Sequence, residues 1–526
     1  MSGFAGTSDA IRFILRRDRL VLPLCLAGLI GWMAIYAVSY SGLYGTQAEL
    51  DALYASVADN PALVAMTGPT GGLHSLGGAI AWESLPVVSI IGGVFAMFLV
   101  VRHTRLEEED GRTELLLATG SGRLAPLAGA VIVTAVSLLI ASFGYFVVLA
   151  VTGLETGPSI LLSLAIFGFG LVITGTTAVV VQLTGKARAA RGLVGVVIGI
   201  AWLTRAIGDT GNGTLTWLSP LGWAQETRPF WENDWWPLLL PIAATLLTTG
   251  FAFWLLGRRD IGSGVIQPRP GPASASALIR HPFGFSLRLQ RGSILGWTAM
   301  LLVYGFALGA VGDNIEGILK SSATFTDAFA SASSNLLDSF FASILTVVAL
   351  LATGFTISAV LRPHSEESRD RAALLLAAPL GKVRWVYGHV LIAFTATAVM
   401  IVLCGFGMGI GLGVATGDFG QTATLAASGF AQVPAMWITG SLALLLFGIS
   451  PRLTPAAWGL LVAFVLIWTL ASFGDLPQWA IDLSPFSHTP MVPAVSADPL
   501  PLATMTILSF LFTALGLAFW RRRDLV

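Results

Sequence analysis

Charged side chains are scarce in this chain, at 11% of 526 residues, whereas a soluble domain carries about 25%. Hydrophobic residues make up 55% and are gathered in runs of about twenty, the length at which a helix crosses a bilayer. The net charge is zero, which provides no general attraction to nucleic acid. The composition therefore predicts a polytopic membrane protein whose surroundings are a lipid bilayer and which has no nucleic-acid partner.

Residues for metal or catalytic chemistry are also few. The two cysteines, Cys25 and Cys404, lie within apolar runs, so they build neither a disulfide framework nor a thiolate metal site. The six histidines are scattered, and HExxH, CxxC and GxSxG motifs are missing. Neither Gly-Lys pair, at residues 185–186 and 381–382, is followed by Ser or Thr, which excludes a phosphate-binding loop. The sequence predicts a protein that is not an enzyme and has no metal or cofactor of its own.

Twelve apolar runs are long enough to span a membrane, six on each side of a polar linker. This pattern predicts an all-α protein with a first half over residues 1–256, a cytoplasmic linker over 257–291 and a second half over 292–526. The linker contains QPRPGPASASA, which is typical of an irregular connector. The runs lie near residues 20–41, 80–101, 124–151, 158–184, 191–208, 236–256, 292–312, 339–361, 385–414, 423–448, 454–473 and 500–520.

Basic residues alternate strongly between loops, and this predicts the orientation. With the N-terminus inside, only Arg205, Arg228 and Lys320 fall outside, and the other 26 of 29 basic residues lie inside. Both termini are therefore expected to be cytoplasmic. The first apolar run exceeds the roughly 7–15 residues of a signal-peptide core, so we expect a retained helix.

A charged signature occurs twice, each time after the second span of a half. It reads EEEDGRTELLLATGSGR at residues 107–123 and EESRDRAALLLAAPLGK at residues 366–382. The copies match at both leading glutamates, at the arginines Arg112 and Arg371, and at three leucines. Acidic residues are costly in a bilayer, so each copy is expected to be an exposed loop or short surface helix. The repetition predicts two copies of one membrane unit and a place where a partner docks.

Two further segments recur. RFILRRDR at residues 12–19 precedes the first span and FSLRLQR at 285–291 precedes the seventh. Their helical spacing predicts a helix along the inner membrane surface, with ordinary basic flanks as the alternative. The halves close on FWLLGRRD at 253–260 and FWRRRD at 519–524. Because each half has an even number of spans, we predict parallel six-helix repeats around a pseudo-twofold axis, with a central pathway.

The charged signature at residues 107–117, together with LSPLGW at 218–223, resembles the membrane subunits of ATP-binding-cassette exporters of the type-2 permease class. The nearest resemblance is to fused twelve-span permeases that export polyketide antibiotics. It implies a bacterial plasma-membrane permease that moves lipophilic drugs out of the cell. It also implies two copies of a separate ATPase subunit as partners, which bind the ATP and Mg.

In similar permeases the segment after the second span is a cytoplasmic coupling helix that inserts into the ATPase. The resemblance implies that this role belongs to Glu107, Glu108, Gly111, Arg112, Glu114, Glu366, Glu367 and Arg371. The second copy departs from the pattern, with Asp370 at the place of Gly111 and Ala373 at that of Glu114. Alanine at both Glu107 and Glu108 is expected to uncouple export in a folded protein. The alternative is a solvated loop whose charges keep it out of the membrane.

The predicted outer loop between spans five and six holds five tryptophans within residues 217–236. They are typical of an aromatic belt at the headgroup level. In related permeases this region folds back into the outer leaflet, which implies a gate at Trp217, Pro220, Trp223 and Trp231. The two interpretations are compatible.

A few charges fall within the runs. Glu83, Asp338 and the neighbours Arg205 and Asp209 lie near predicted span ends, where caps or ion pairs are expected. The alternative is that Glu83 lines a substrate pathway. By family analogy the pathway candidates also include Phe95, Phe98, Phe340, Phe341 and Trp468.

The competing function class is a secondary multidrug transporter driven by a proton or sodium gradient. It predicts acidic residues in the middle of spans, which are almost missing here. A third class, a membrane enzyme, predicts a cluster of catalytic side chains on neighbouring helix ends, and the sequence has none.

Overall fold

The computed structural model describes residues 3–58, 61–118, 120–266, 274, 281–312, 336–368, 371–377, 381–472 and 476–523. The fold is all-helical, with 82% of residues in helices and no strand in these ranges. The chain divides into two compact units, Met1–Gly271 and Pro272–Val526. Lys320, Asp370 and most of the linker lie outside the described residues.

The first unit contains twelve α-helices and three single-turn 3₁₀ helices within its described residues. The 3₁₀ turns are Gly71–His74, Thr216–Leu218 and Trp236–Leu238. The α-helices are α1 Thr7–Arg17, α2 Val21–Leu43, α3 Gln47–Val57, α4 Pro61–Thr67, α5 Leu76–His103, α6 Arg105–Glu109, α7 Arg112–Ala118, α8 Ala125–Val151, α9 Thr156–Leu183, α10 Ala187–Thr210, α11 Pro220–Gln225 and α12 Leu239–Arg258.

The second unit continues the numbering. Its 3₁₀ turns are Pro451–Leu453 and Pro485–His488. The α-helices over its described residues are α13 Pro282–Ala310, α14 Leu336–Val360, α15 Arg362–Glu367, α16 Arg371–Leu376, α17 Lys382–Thr416, α18 Thr422–Ala431, α19 Val433–Ile449, α20 Thr454–Ser472, α21 Gln478–Ile481 and α22 Pro499–Arg522.

Twelve of the described helical segments are long and apolar enough to cross a membrane, which confirms the predicted number of spans. The most buried spans are α5 and α9 in the first unit, and α14 and α18–α19 in the second. Small residues make this burial possible because they let helices approach closely. Gly93 of α5, for example, faces the buried ring of Phe169 of α9.

The tenth span differs from the single uninterrupted run that the sequence predicts. It consists of α18 and α19, which meet at Gln432. Pro434 has no backbone N–H and its ring crowds the carbonyl four residues earlier, which favours a break here, whereas α5 continues through its own Pro86. The buried Gln432 side chain donates to the hydroxyl of Thr346 at 3.1 Å.

The predicted surface helices before spans one and seven differ from each other. In the first unit α1 is separate from the span α2, and Pro23 accounts for the break because it disfavours helix over the preceding turn. In the second unit residues 285–291 are the beginning of the continuous helix α13, so no separate helix is formed there. The sequence of α13 after its first residue contains no proline that would stop it.

Alternating glycines of α17 pack against two different neighbours. Gly407 and Gly411 face the backbone of α13, where a Cβ would overlap the carbonyl oxygens of Leu302 and Phe306. Gly405 and Gly409 face α18 in the same way. The glycine row is therefore a packing surface.

We predict that Gly411→Ala destabilises the protein by about 1–3 kcal/mol, because the added methyl forces α17 away from a backbone. Gly296→Ala on α13 is the matched control, since its Cβ position meets open space. Thermal unfolding in detergent micelles measures both variants. Equal melting temperatures would contradict the close packing of α13 and α17.

Candidate functional site

The first charged signature folds into two short helices after span α5. These are α6 and α7, joined through Asp110 and Gly111. Gly111 has a φ of +71°, a left-handed conformation that glycine adopts without a steric cost. The second signature also forms a helix pair, α15 and α16. The expected short helices are therefore present, but their leading glutamates are largely buried, whereas the prediction placed them at the surface.

The Glu108 side chain is 9% exposed and is held by two arginines. Arg259, which follows the last residue of α12, donates to both carboxylate oxygens of Glu108, at 2.5 and 3.0 Å. Arg105 donates to the same carboxylate at 2.8 Å. Two-pronged arginine–carboxylate pairs of this kind are among the strongest hydrogen-bonded contacts in proteins. The pair ties the beginning of the charged segment to the end of the sixth span.

All three guanidinium nitrogens of Arg259 donate hydrogen bonds within the first unit. Its remaining donors bind the side-chain oxygen of Gln182 at 2.7 Å and the carbonyl oxygen of Ser263 at 2.8 Å. A buried guanidinium is stable only when its donors are satisfied in this way.

The other glutamate of the pair, Glu107, is 3% exposed. It contacts Arg17 at the end of α1, and Arg112 at the start of α7 at 3.3 Å. One carboxylate therefore connects the N-terminal helix with both helices of the charged segment.

The second unit repeats the pairing at the end of the last span, while its first glutamate has a partner on its own helix. Glu367 pairs with Arg523, which follows the last residue of α22. Glu366 pairs with Arg362 at 2.9 Å and with Arg371 at 3.9 Å. In each unit the second glutamate thus binds the arginine that ends the last span.

These contacts correct the expectation that the glutamates are exposed for docking. Their partners Arg259 and Arg523 lie 151 and 156 residues away along the chain, so a local charge pattern cannot indicate the pairing. The sequence feature that could have indicated this pairing is the FW…RRD segment, because its basic cluster ends both halves.

The exposed part of the first signature comprises Glu109, Asp110 and the outer face of α7. Gly111, Arg112 and Glu114 are exposed there, as predicted, and Leu115 is 71% exposed although it is apolar. Leu115 and its charged neighbours therefore form a small surface of mixed apolar and charged character. In the second unit Arg371 is exposed, and the side chains of residues 373–375 lie outside the described ones.

The N-terminal segment supports the same region. The backbone N–H of Gly122 donates to the carbonyl of Ala5 at 2.7 Å, and that of Leu124 donates to the carbonyl of Gly3 at 2.8 Å.

After α1, the fully buried Asp18 accepts from Arg102 at 2.8 Å and lies 2.6 Å from the Nε2 atom of His103. Asp18, Arg102 and His103 are positioning residues that sequence reasoning missed.

The tryptophan-rich segment forms a compact cap at the other end of the first unit. Trp217 stacks on Trp236 with ring centroids 5.1 Å apart, and Trp223 donates its indole N–H to the carbonyl of Trp217 at 2.6 Å. Pro220 is the first residue of α11, where a missing N–H has no cost. Trp231 packs against Gly71 of the preceding cap loop.

Backbone strain and charge both occur in this cap. Arg228, Phe230 and Asn233 have positive φ values, which non-glycine residues adopt only when the surroundings hold them. Burial lowers the pKa of Arg228, but Glu232 and Glu226 outweigh that effect and raise the pKa above its usual value. The guanidinium therefore remains charged at the centre of the cap.

The charges within the first unit's spans have local partners. Arg205 pairs with Asp209 at 3.4 Å, as expected, and also donates to the carbonyl of Met66 at 2.9 Å. Glu83 accepts a hydrogen bond from the hydroxyl of Tyr40.

The aromatic pathway candidates occupy different environments. Phe95 packs against a core of α1, α2 and α8, whereas Phe98 is exposed beneath the guanidinium of Arg191 at 5.3 Å. Phe341 is fully buried beside Phe340, with ring centroids 5.6 Å apart. Trp468 packs on the core of the second unit. Phe95, Phe341 and Trp468 therefore contribute to packing within their own units.

We predict that Glu108→Gln destabilises the protein by about 3 kcal/mol, because it leaves Arg259 buried without its counter-ion. The exposed Glu114→Gln is the matched control, with an expected change within about 0.5 kcal/mol. Thermal unfolding in micelles measures both. The double variant Glu108→Gln/Arg259→Gln is expected to lose less than the sum of the single variants. Additive losses would show that the two side chains are not coupled.

Comparisons with known proteins cover nearly the whole chain. The family model described as multidrug efflux system permease Rv1217c, C-terminal domain, matches residues 19–255 and 279–521. The multidrug efflux system permease protein Rv1217c of Mycobacterium tuberculosis (strain ATCC 25618 / H37Rv) is 35% identical over 528 residues. That alignment covers 99% of this chain and 96% of the relative. The family-model match includes both charged signatures, at residues 107–123 and 366–382.

Proposed function

Since the chain belongs to the Rv1217c family of multidrug efflux permeases, we propose that it is the membrane subunit of an ATP-driven exporter. Its family membership and its twelve candidate spans make it a transmembrane efflux permease. The energy source, the partner and the substrate class are the proposed parts.

The observation that carries the proposal is the exposed outer face of α7, which lies above the ion pairs of Glu107 and Glu108. Leu115 offers an apolar anchor, and Arg112 and Glu114 offer charges of both signs that would set the orientation of a partner. Beneath this face, Glu107 and Glu108 connect to α1 and to the end of α12. A partner that pushes on α7 would therefore move helices that belong to the membrane-spanning part of the unit.

The proposed partner is a separate ABC ATPase, one copy at α7 and one at α16. The partner would bind ATP and Mg, since this chain has no phosphate-binding loop. We expect the copy at α7 to be held more strongly, because Ala373 of α16 takes the place of Glu114. Both termini and both helix pairs would then be cytoplasmic, in line with the distribution of basic residues.

The proposed substrates are lipophilic drugs of the polyketide-antibiotic type. The name of the mycobacterial relative supports multidrug efflux, and the resemblance of the charged signature supports the narrower class. Gly68 of the cap loop is close to Gln225 of α11, which donates to the carbonyl of Thr67 at 2.7 Å. Opening this cap would require separating such contacts, which suits a gate for export.

A gradient-driven transporter is the second candidate, and Glu83 is the residue that favours it. This carboxylate lies in span α5 and shares a hydrogen bond with Tyr40 of α2. It is the eighth residue of a 28-residue helix, away from the middle of the span. Asp209, a carboxylate of span α10, is paired with Arg205.

The first test is purification of the tagged chain from its native cells in a mild detergent, followed by mass analysis of the complex. We expect a soluble ATPase at two copies per chain. A chain that purifies alone, with efflux that collapses when the proton gradient is dissipated, would support the gradient-driven alternative instead.

We predict that Leu115→Asp weakens ATPase binding roughly 30-fold, because a charge replaces the apolar anchor of the docking patch. The matched control is Val265→Asp, an equally drastic change at an exposed site of the same unit outside α7. Co-purification yield and drug efflux measure the effect, with protein abundance as the check on folding. Normal ATPase binding by Leu115→Asp would refute docking at α7.

A further inference from the structure

An open cavity of about 620 Å³ lies at one end of the second unit, where α17 begins and α22 ends. Basic side chains dominate its lining, with one aromatic and two small residues between them. The lining consists of Gly381, Lys382, Val383, Arg384, Tyr387 and Arg521. No contact described above uses Arg384, Tyr387 or Arg521.

The cations of this cavity have no carboxylate partner among the described residues. Two acids of the helix pair before α17 that the structure describes are paired elsewhere, Glu366 with Arg362 and Glu367 with Arg523. Lys382 donates to a backbone carbonyl, that of Arg523, at 3.4 Å. Concave surfaces lined by charge of one sign concentrate their field, so an anion is strongly favoured here.

An apolar stripe leads away from the basic cavity along α17. Tyr387, Leu391, Thr395 and Val399 follow Arg384 at spacings that keep them on one helix face, and all four are exposed. Tyrosine is enriched where a hydrocarbon layer meets the headgroups. The combination fits a ligand with an anionic head and long apolar tails.

The matching position in the first unit is partly filled by the N-terminal segment, beside a cavity of about 460 Å³ whose lining has no basic residue. Gly122 and Arg123 precede α8 as Gly381 and Lys382 begin α17, and residues 3–5 bind there through the backbone of Gly122 and Leu124. The described residues of the second unit leave the corresponding place open.

We propose that this cavity binds the phosphate of an anionic phospholipid, whose acyl chains lie along the exposed stripe of α17. Lys382, Arg384 and Arg521 hold the phosphate oxygens as hydrogen-bond donors. The site is independent of the proposed ATPase partner, since it shares no residue with the exposed faces of α7 and α16.

The test is native mass spectrometry of the intact chain in detergent, titrated with phosphatidylglycerol or with phosphatidylcholine of the same acyl chains. We expect phosphatidylglycerol to bind more tightly. The Arg384→Gln/Arg521→Gln variant is expected to weaken phosphatidylglycerol binding about 30-fold and to leave phosphatidylcholine binding unchanged. The matched control is Arg288→Gln/Arg452→Gln, which removes two exposed positive charges of the same unit outside the cavity.

The outcomes separate the alternatives. Equal loss in the control variant, or equal binding of the two lipids, would overturn the site. Inorganic phosphate that binds through Arg384 and Arg521 without any preference for phosphatidylglycerol would assign the cavity to a soluble anion and overturn the lipid. If the double variant does not fold, Arg384→Gln alone gives the same comparison, with an expected loss of about fivefold.

Discussion

The ion pairs Glu108–Arg259, which is largely buried, and Glu367–Arg523, which is partly buried, constrain the rest of each unit. Taking a carboxylate and a guanidinium out of water costs several kcal/mol per ion, and their attraction offsets this cost only when the geometry is good. The end of the sixth span of each half and the helix after the second span must therefore lie side by side. Any other arrangement would leave a charge buried alone.

This constraint determines which surface remains for a partner. With the leading glutamates turned inward, the exposed charges and the apolar Leu115 of α7 are the groups left outside. The inward glutamates anchor the proposed docking face, because Glu107 joins Arg112 at the start of α7 to Arg17 of α1. A stiff attachment suits transmission of movement better than a flexible loop, whose displacement would be absorbed by its own backbone.

The spans obey a different physical rule. A helix satisfies its backbone hydrogen bonds internally, and a bilayer provides no water to satisfy them otherwise, so length and hydropathy identify spans well. Close packing then depends on small residues such as Gly407 and Gly411, whose position against α13 follows from the tertiary structure. At Pro434 the helix of the tenth span is broken although the sequence stays apolar on both sides, so hydropathy alone does not show the break.

The sequence by itself determined the membrane class, the twelve spans and the two charged signatures, because hydropathy and repeats are local properties of the chain. Only the tertiary structure decided which of the charged side chains face solvent and which face the protein interior. Glu107 and Glu108 look solvent-exposed in a linear sequence, since acids avoid the bilayer, yet arginines from α1 and from the end of α12 bury them. Sequence patterns do not record which distant cation will satisfy a carboxylate, because that choice depends on which helix ends the packing of the spans brings together.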